Sequence, residues 1–496
     1  MDKPALVGID IGTSKIRSSL YDIKGNLLFS ESFTTPLVKK KKYVYNPVEE
    51  IYKKLLLLLS NTFKYSHKSN YFINGLSISS VGEAGVPIDI NCNPLMDIIP
   101  WYDQRTESIR NKYLNNDNNN IYSYTGLNSD HFYSVYKILW IKENKPEIYN
   151  KIFKWLPVND FFAMKLTNNI STDYSQAMRT LLFNPKKLKW SEKLIKYFKI
   201  NKNILPDIIN AGDIKGELNA PIKNLLKIKN KCIVAAGGHD HFVGIYGLGG
   251  FKKNIAINSM GSAEAIIVNT NKYISNKKLN NAKFISGVFK TKTKTNYYVV
   301  GSLLTSGIII EWFIKIFKIK NYVKLNNMVN LKNNKNILFF PQFEYSHSPI
   351  NSLKTKGFIL GLDRSSSKSD VFTALLKGLT FDTKNALIFL KKILKIKIYK
   401  IICSGGSIQN KNWMKLRSQI LKNDLQINEN VENVSLGSAI LAGLATKTYK
   451  NDYDAFKKIN NKFKIIRFNK NNNRDEILFN KYITSIKNIN KINKIL

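Results

Sequence analysis

Residues 5–33 read ALVGIDIGTSKIRSSLYDIKGNLLFSESF. Residues 5–10 make a short apolar strand that contains Gly8 and ends on the carboxylate of Asp10. Residues 11–15 are a tight turn, 16–21 return as a second strand, 22–26 turn again, and 27–33 form a third strand. Three antiparallel strands in succession are unlike a Rossmann unit, whose first glycine loop opens a helix. GIDIGTSK also lacks the GxxxxGK[ST] spacing of a P-loop. Two readings stay open. Either the backbone N–H groups and the Thr13 and Ser14 hydroxyls hold phosphate, or this is an ordinary hairpin with glycine in its turn.

A second glycine- and hydroxyl-bearing stretch lies at 232–268, CIVAAGGHDHFVGIYGLGGFKKNIAINSMGSAEAIIV. An apolar run over 232–236 is expected to break at Gly237-Gly238 and present His239-Asp240-His241, followed by a helical segment over 242–250. A strand over 255–260 ends in Gly261-Ser262 and resumes over 263–268. An Asp just past a buried strand suits proton transfer or metal contact, and equally suits capping the next helix. Two histidines two residues apart without a third ligand nearby favour orientation of Asp240 and packing over metal binding. A strand–turn–strand with glycine and hydroxyls in each half suggests a duplicated α/β fold holding one phosphate ligand. Asp10 and Asp240 are then the best-placed acidic groups.

Between and beyond these stretches, Asn46-Pro47 is expected to cap and open a helix with Glu49 and Glu50 in its first turn and a leucine stripe over 55–59. A strand over 73–80 leads into Val81-Gly82-Glu83-Ala84-Gly85, and another spans 86–90. The run 100–106, PWYDQRT, gathers aromatic and charged groups before helices over 132–142 and 157–166. In the second half a strand over 297–301 meets a turn at 304–307. Strands are expected over 337–343, 357–362 and 401–404, and helices over 371–389, 412–421 and 435–445, the last rich in small residues and suited to close packing. After residue 446 the sequence turns Lys/Asn-rich, which predicts a peripheral, frayed helix.

At 496 residues, 44% hydrophobic and 12% aromatic, the chain has the composition of a multidomain globular protein. No apolar run approaches the roughly 18 residues that span a bilayer, and the first residues lack a signal-peptide pattern, so a cytoplasmic protein is expected. Three well-separated cysteines without a CxxC pair predict reduced thiols and no zinc site. The net charge of +42 points superficially to nucleic acid. Only eight of the 77 basic residues are Arg, however, and the lysines are spread along the chain among Asn and Ile. That pattern reads as compositional drift, without the arginines that direct recognition favours. No nucleic-acid or membrane partner is expected.

Taken together, the ordered motifs resemble the FGGY carbohydrate kinases over about residues 5–445. They are GIDIGTSK at 8–15, SVGEAGVPID at 80–89, PWYDQRT at 100–106, TDYSQAMRTLLF at 172–183, GGHDH at 237–241 and NSMGSAEAI at 258–266. Further on come FFPQF at 339–343, GFILGL at 357–362, ALLKGLTFD at 374–382, CSGGSIQNKNWMKLRSQIL at 403–421 and SLGSAILAG at 435–443. The resemblance implies two actin-like (ribonuclease-H-like) domains with ATP and sugar in an inter-domain cleft, Mg²⁺ as cofactor, a small-molecule sugar partner and scope for a homodimer. The boundaries it implies are 1–249 for an N-terminal sugar-binding domain, 250–446 for a C-terminal nucleotide-binding domain, and 447–496 for a basic extension.

By that resemblance Asp240 would be the base that takes the proton of the attacking sugar hydroxyl, and Asp10 the group that holds Mg²⁺ through water. Gly12, Thr13, Ser14 and Lys15 would form the first phosphate hairpin and Gly261-Ser262 the second. Gly405-Gly406 matches the adenosine loop, with Asn410 near the base or ribose. Glu83, Asp103, Phe132 and His239 resemble sugar-pocket residues, Arg105 standing near Asp103 either to orient it or as a structural salt bridge. Phe132 falls where glycerol kinases place an aromatic against the polyol. Glu83 falls where pentulose kinases often carry His and glycerol kinases carry Glu. A pentulose such as xylulose or ribulose is the expected acceptor, with glycerol or another polyol, or sugar-independent ATP hydrolysis, as alternatives.

Overall fold

The computed structural model describes residues 2–114, 120–303, 306–319, 322–331, 335–343, 347–350, 355–428, 432–459, 462–469, 474–493 and 495. Leu304 and Thr305 of the expected turn lie outside these residues. The chain divides into two compact units: Met1–Gly249 with Ser286–Tyr297 and Glu432–Asn461, and Gly250–Ile285 with Tyr298–Val431 and Lys462–Leu496.

In the first unit, strands β1 (Lys3–Ile11), β2 (Lys15–Asp22), β3 (Leu27–Thr34), β4 (Tyr71–Ser80), β5 (Ile214–Glu217) and β6 (Ile233–His239) form one sheet in the order β5-β6-β4-β1-β2-β3. The β1–β2 and β2–β3 pairs are antiparallel, whereas β1, β4 and β6 run parallel. Asp10 pairs with Ser79, and His239 with Ser80, so the carboxyl ends of the three parallel strands finish side by side. That edge is where open α/β sheets place ligands. Helix α1 (Val48–Lys68) buries Val48, Ile51, Leu55, Leu58, Leu59 and Phe63 at helical spacing, each contributing roughly 1.5–3 kcal/mol of burial free energy.

Two local expectations change. Asn46 does not cap α1, because a two-way backbone bridge to Ile98 fixes it (3.0 and 3.1 Å) and its side chain donates to the Pro36 carbonyl; Pro47 takes the cap position. Asp97 supplies the missing acceptor to the Val48 N–H at 3.2 Å. Strand β6 also does not stop at Gly237. A Cβ there would lie 1.8 Å from the Ile78 carbonyl oxygen, so the glycine lets β6 press against β4 and carry on to His239, with a register shift between Ala236 and Gly238.

Helix α2 (Asp240–Gly247) follows β6 directly. The late helix Asn433–Ala445 packs on β1, β4 and α2, which explains why residues beyond 432 return to the first unit rather than continuing the second. A Cβ at Gly8 would meet the Ser435 carbonyl oxygen at 1.7 Å, and one at Gly437 would meet that of Val243 at 2.1 Å.

The second sheet, most of whose strands belong to the second unit, comprises β7 (Ile255–Met260), β8 (Glu264–Thr270), β9 (Ile285–Lys290), β10 (Thr295–Leu303), β11 (Lys400–Ser404), β12 (Leu425–Asn428) and β13 (Phe463–Ile466). Their order is β9-β10-β8-β7-β11-β12-β13, with β7–β8 antiparallel and β7, β11 and β12 parallel. Both sheets thus open with an antiparallel turn and continue into parallel strands, which is the ribonuclease-H-like arrangement. Helices α3 (Lys368–Leu394), opened by a Ser367/Asp370 capping box, α4 (Lys411–Leu421) and α5 (Arg474–Ile492) complete this unit. The strands expected over 337–343 and 357–362 contract to Leu338–Phe340 and Phe358–Leu360, since Pro341 withdraws a ladder donor. Among the described residues after 446 the expected helix is present as α5, but it is docked: α5 packs on α3, and β13 pairs with β12. None of the described helices is long and apolar enough to cross a membrane.

Candidate active site

Asp10 stands at the end of β1 beneath the first hairpin turn. A Cβ added to Gly12 would lie 3.9 Å from both of its carboxylate oxygens. The turn itself is closed by the Gly12 N–H donating to the Lys15 carbonyl (2.9 Å) and braced by Thr35, whose hydroxyl donates to the Gly12 carbonyl (2.8 Å). Thr13, Ser14 and Lys15 are exposed at its tip. Burial raises the Asp10 carboxyl to about 7, with nearby Glu432 pushing the same way and Arg17 opposing. Its Oδ1 is buried and finds no hydrogen-bond donor among the described residues.

Asp240 opens α2, with His239 in the cap position. The alternative reading, capping of the next helix, is not what its side chain does: Oδ1 accepts from the adjacent His241 N–H at 2.5 Å. Burial, then the charges of Asp10 and Glu83, raise its carboxyl well above the usual range against the opposing Arg179. The His239 ring stands beside it, Nδ1 to Oδ1 3.7 Å, and burial together with Arg179 and His241 holds that imidazole well below its ordinary value. His241 is lowered to about 4 by burial and Arg179. Both rings are therefore neutral at pH 7. The absent side chain at Gly82 makes room for His239, since a Cβ there would sit 2.1 Å from the ring's Cδ2.

Glu83 leaves β4 in a left-handed conformation (φ 62°) that a residue with a side chain seldom adopts. Arg179, on the turn after a short helix, donates to Glu83 Oε1 from Nε (2.5 Å) and from Nη2, and its guanidinium lies 5.1 Å from the Tyr133 ring centre. The sequence placed Glu83 here but assigned nothing to Arg179. The same holds for Lys137, which is fully buried, donates to the Phe132 carbonyl and is lowered to about 7 by burial despite the Glu83 and Asp103 charges.

Asp103 is less available than expected. Its oxygens accept from Arg105 Nε (2.7 Å), Arg105 Nη2 (2.7 Å), the Arg105 N–H (3.0 Å) and the Val44 N–H (2.9 Å). Burial works against the carboxylate, but these bonds outweigh it and hold it below the usual range. The Arg105 guanidinium is sandwiched 4.3 Å from the ring centres of both Tyr43 and Tyr45. The Asp103–Arg105 pair thus has the geometry of a structural clamp. Phe132 lies just before its expected helix, which begins at Ser134, and meets Trp101 edge-to-face at 6.5 Å. Trp101 is 40% exposed, and its Nε1 donates to Thr13 Oγ1 at 3.0 Å, joining this aromatic corner to the hairpin.

In the second unit, Gly261 and Ser262 form the exposed turn between β7 and β8. Their carbonyls accept from the N–H groups of Gly307 (3.1 Å), Ser306 (3.1 Å) and Ile308 (3.2 Å). Gly405 ends β11 at φ 101°, where a Cβ would strike the Met260 carbonyl oxygen at 2.5 Å, and Gly406 faces open space. Asn410 caps α4, its Oδ1 accepting from the Trp413 N–H at 2.9 Å. No group of three or more His, Cys, Asp or Glu among the described residues is arranged to hold a metal ion. An octahedral, water-rich Mg²⁺ needs only one or two carboxylates alongside phosphate oxygens, and the partnerless Asp10 Oδ1 beneath the hairpin fits that requirement.

A duplicated ribonuclease-H-like fold with two glycine turns and a carboxylate at a parallel sheet edge defines a phosphoryl-transfer class of protein. Family models for the N-terminal and C-terminal domains of the FGGY carbohydrate kinases match residues 5–247 and 256–446. The chain belongs to this family, and is a phosphotransferase with an alcohol acceptor. A xylulose kinase of Staphylococcus xylosus is 25% identical, with 90% of this chain and 91% of that protein covered. A glycerol kinase of Sulfolobus acidocaldarius is 28% identical, with 92% of each covered. Among solved structures, Plasmodium falciparum glycerol kinase with ADP superposes with a TM-score of 0.90 at 23% identity, covering 98% of both chains.

Proposed function

We propose that this kinase uses ATP to phosphorylate a hydroxyl of a neutral pentulose such as xylulose or ribulose. The observation that carries the reading is Asp240, a carboxyl at the parallel sheet edge whose surroundings raise its affinity for a proton. In the reaction the acceptor oxygen forms a bond to the γ-phosphorus and its proton passes to Asp240. The bond from that phosphorus to the bridging oxygen breaks and ADP leaves. Positioning and charge neutralisation supply the rest of the catalysis. His239 orients the Asp240 carboxyl and lines the acceptor pocket with Glu83 and Phe132. Asp103 supports that pocket through Arg105. The first hairpin, Gly12 to Lys15, and the turn at Gly261-Ser262 offer N–H and hydroxyl groups to phosphate, and Gly405, Gly406 and Asn410 contact adenosine. Mg²⁺, held at Asp10, would neutralise charge on the phosphates.

A glycerol or polyol acceptor is the second reading, favoured by Glu83, the residue type that the resemblance associates with glycerol kinases. The test is coupled ADP release with Mg-ATP against pentuloses, hexuloses, aldonates, glycerol and tetritols. Stimulation by a pentulose supports the first reading and stimulation by a polyol alone the second. Hydrolysis that no acceptor changes would instead indicate a sugar-independent ATPase and remove both.

A further inference from the structure

We propose that Arg179 is a positioning residue for acceptor recognition, acting by fixing one oxygen of Glu83 so that the other faces the sugar hydroxyls. The inference rests on the kinase reading above. Both Arg179 donors converge on the same oxygen, Glu83 Oε1, whereas a purely structural Arg–carboxylate pair gains most when its two donors take two oxygens. The Asp103–Arg105 pair in the same unit is bonded in that two-oxygen fashion. Both bonds from Arg179 to Glu83 thus fall on Oε1, and Glu83 Oε2 has no donor among the hydrogen bonds of the described residues.

The backbone points the same way. Glu83 is held at φ 62°, with the Ser134 hydroxyl donating to its carbonyl at 3.0 Å and the Ala84 N–H donating to the Gly82 carbonyl at 2.7 Å. A left-handed glutamate is costly, and such strain is found where surrounding structure over-determines a side chain's position for use. The surroundings here are Arg179 itself, the Tyr133 face on which the guanidinium lies, and the His239 ring that fills the space left by Gly82. Arg179 also opposes the rise in the Asp240 carboxyl, so one guanidinium touches the acceptor pocket and biases the base. Because the Arg179 guanidinium pairs with the Glu83 carboxylate, the pocket suits neutral polyhydroxy acceptors and disfavours sugar acids.

The test is a double-mutant cycle of Arg179→Met, Glu83→Gln and the combined variant, with Arg179→Lys alongside, all on the full chain. Acceptor KM, ATP KM and kcat are measured with the acceptor that stimulates the wild type. If Arg179 acts through Glu83, each single change raises acceptor KM at least tenfold with ATP KM within twofold. The double variant then loses no more than the worse single one, and Arg179→Lys recovers only part of the loss. Should Arg179→Met fold poorly, the double variant, which leaves no unpaired charge, still reports. Additive losses, or an acceptor KM unchanged by Arg179→Met and Arg179→Lys, would overturn the proposal while leaving the kinase reading intact. A wild type that no acceptor stimulates would overturn both.

Discussion

At the residue scale the site sets two carboxylates against each other. Asp240 sits where its charged form is costly, and Asp103 where its charged form is fully bonded. Asp240→Asn should cut turnover by about 10²–10⁴, the usual worth of a general base, while ATP binding persists. It should also stabilise the fold. A carboxyl raised in the folded state favours folding below its ordinary range, and that contribution is lost as pH rises through the folded value. The melting temperature of the Asn variant should therefore exceed that of the wild type by a margin that widens towards pH 7 in magnesium-free buffer. An Asn variant that melts lower at pH 7 would contradict this. Asp103 has the opposite sign: its lowered value adds stability above the ordinary carboxylate range, which is lost as pH falls through the folded value. Asp103→Asn leaves the Arg105 guanidinium buried without its charge partner and should cost roughly 3–5 kcal/mol in urea unfolding at pH 7. The polar residue types were legible in the sequence, as was the Asp103–Arg105 pairing two residues apart, but the Glu83–Arg179 pair was not, because its members are 96 positions apart. One signal was available. In a chain with eight Arg among 77 basic residues, an Arg marks a site that Lys cannot serve. Arg17, Arg105, Arg179 and Arg417 all pair with carboxylates.

At the scale of elements, hairpins and helices followed from local pattern, and the departures arose where a distant backbone decided the matter. Gly237 looked like a strand end because glycine usually punctuates; it is a contact with β4 instead. Gly437 of the small-residue helix Asn433–Ala445 serves the same purpose against α2, and Gly8 of β1 does so against the Ser435 carbonyl of that helix. Gly437→Ala would drive a Cβ to 2.1 Å from the Val243 carbonyl, a backbone atom that cannot rotate away, and should cost at least about 1–3 kcal/mol in thermal or urea unfolding. Gly406→Ala is the matched control. Its Cβ would meet nothing within 4 Å, so the melting temperature should hold within about 2 °C while KM for ATP rises if this loop contacts adenosine. A destabilised Gly406→Ala or an untouched Gly437→Ala would break the link between glycine and backbone approach.

For the whole molecule, duplication was readable from two strand–turn–strand stretches, but the path by which the chain fills its units was not. Nothing local to residues 433–445 states which sheet they will cover, and a Lys/Asn-rich tail looks the same whether it is loose or docked. The docking is decided by a few groups. Tyr482 of α5 stacks on Phe340 at 4.4 Å and donates to Asp382 Oδ1 at 2.8 Å, while His347 Nδ1 and Gln342 Nε2 each lie 2.7 Å from Asp382 Oδ2. Lys377 pairs with Asp475 and Lys384 with Glu476, at 2.9 and 2.7 Å, fastening the first turn of α5 to α3. Ending the chain at residue 461 removes β13 and α5. That strips the edge of β12, uncovers the surface buried by Leu478, Phe479 and Tyr482, and leaves the buried Asp382 without its tyrosine donor. The truncated protein should lose cooperative unfolding of the second unit in calorimetry, and with it ATP binding, whereas a frayed appendage would leave both unchanged. A truncated chain that unfolds and binds ATP like the full one would show that α5 contributes nothing to the core it covers.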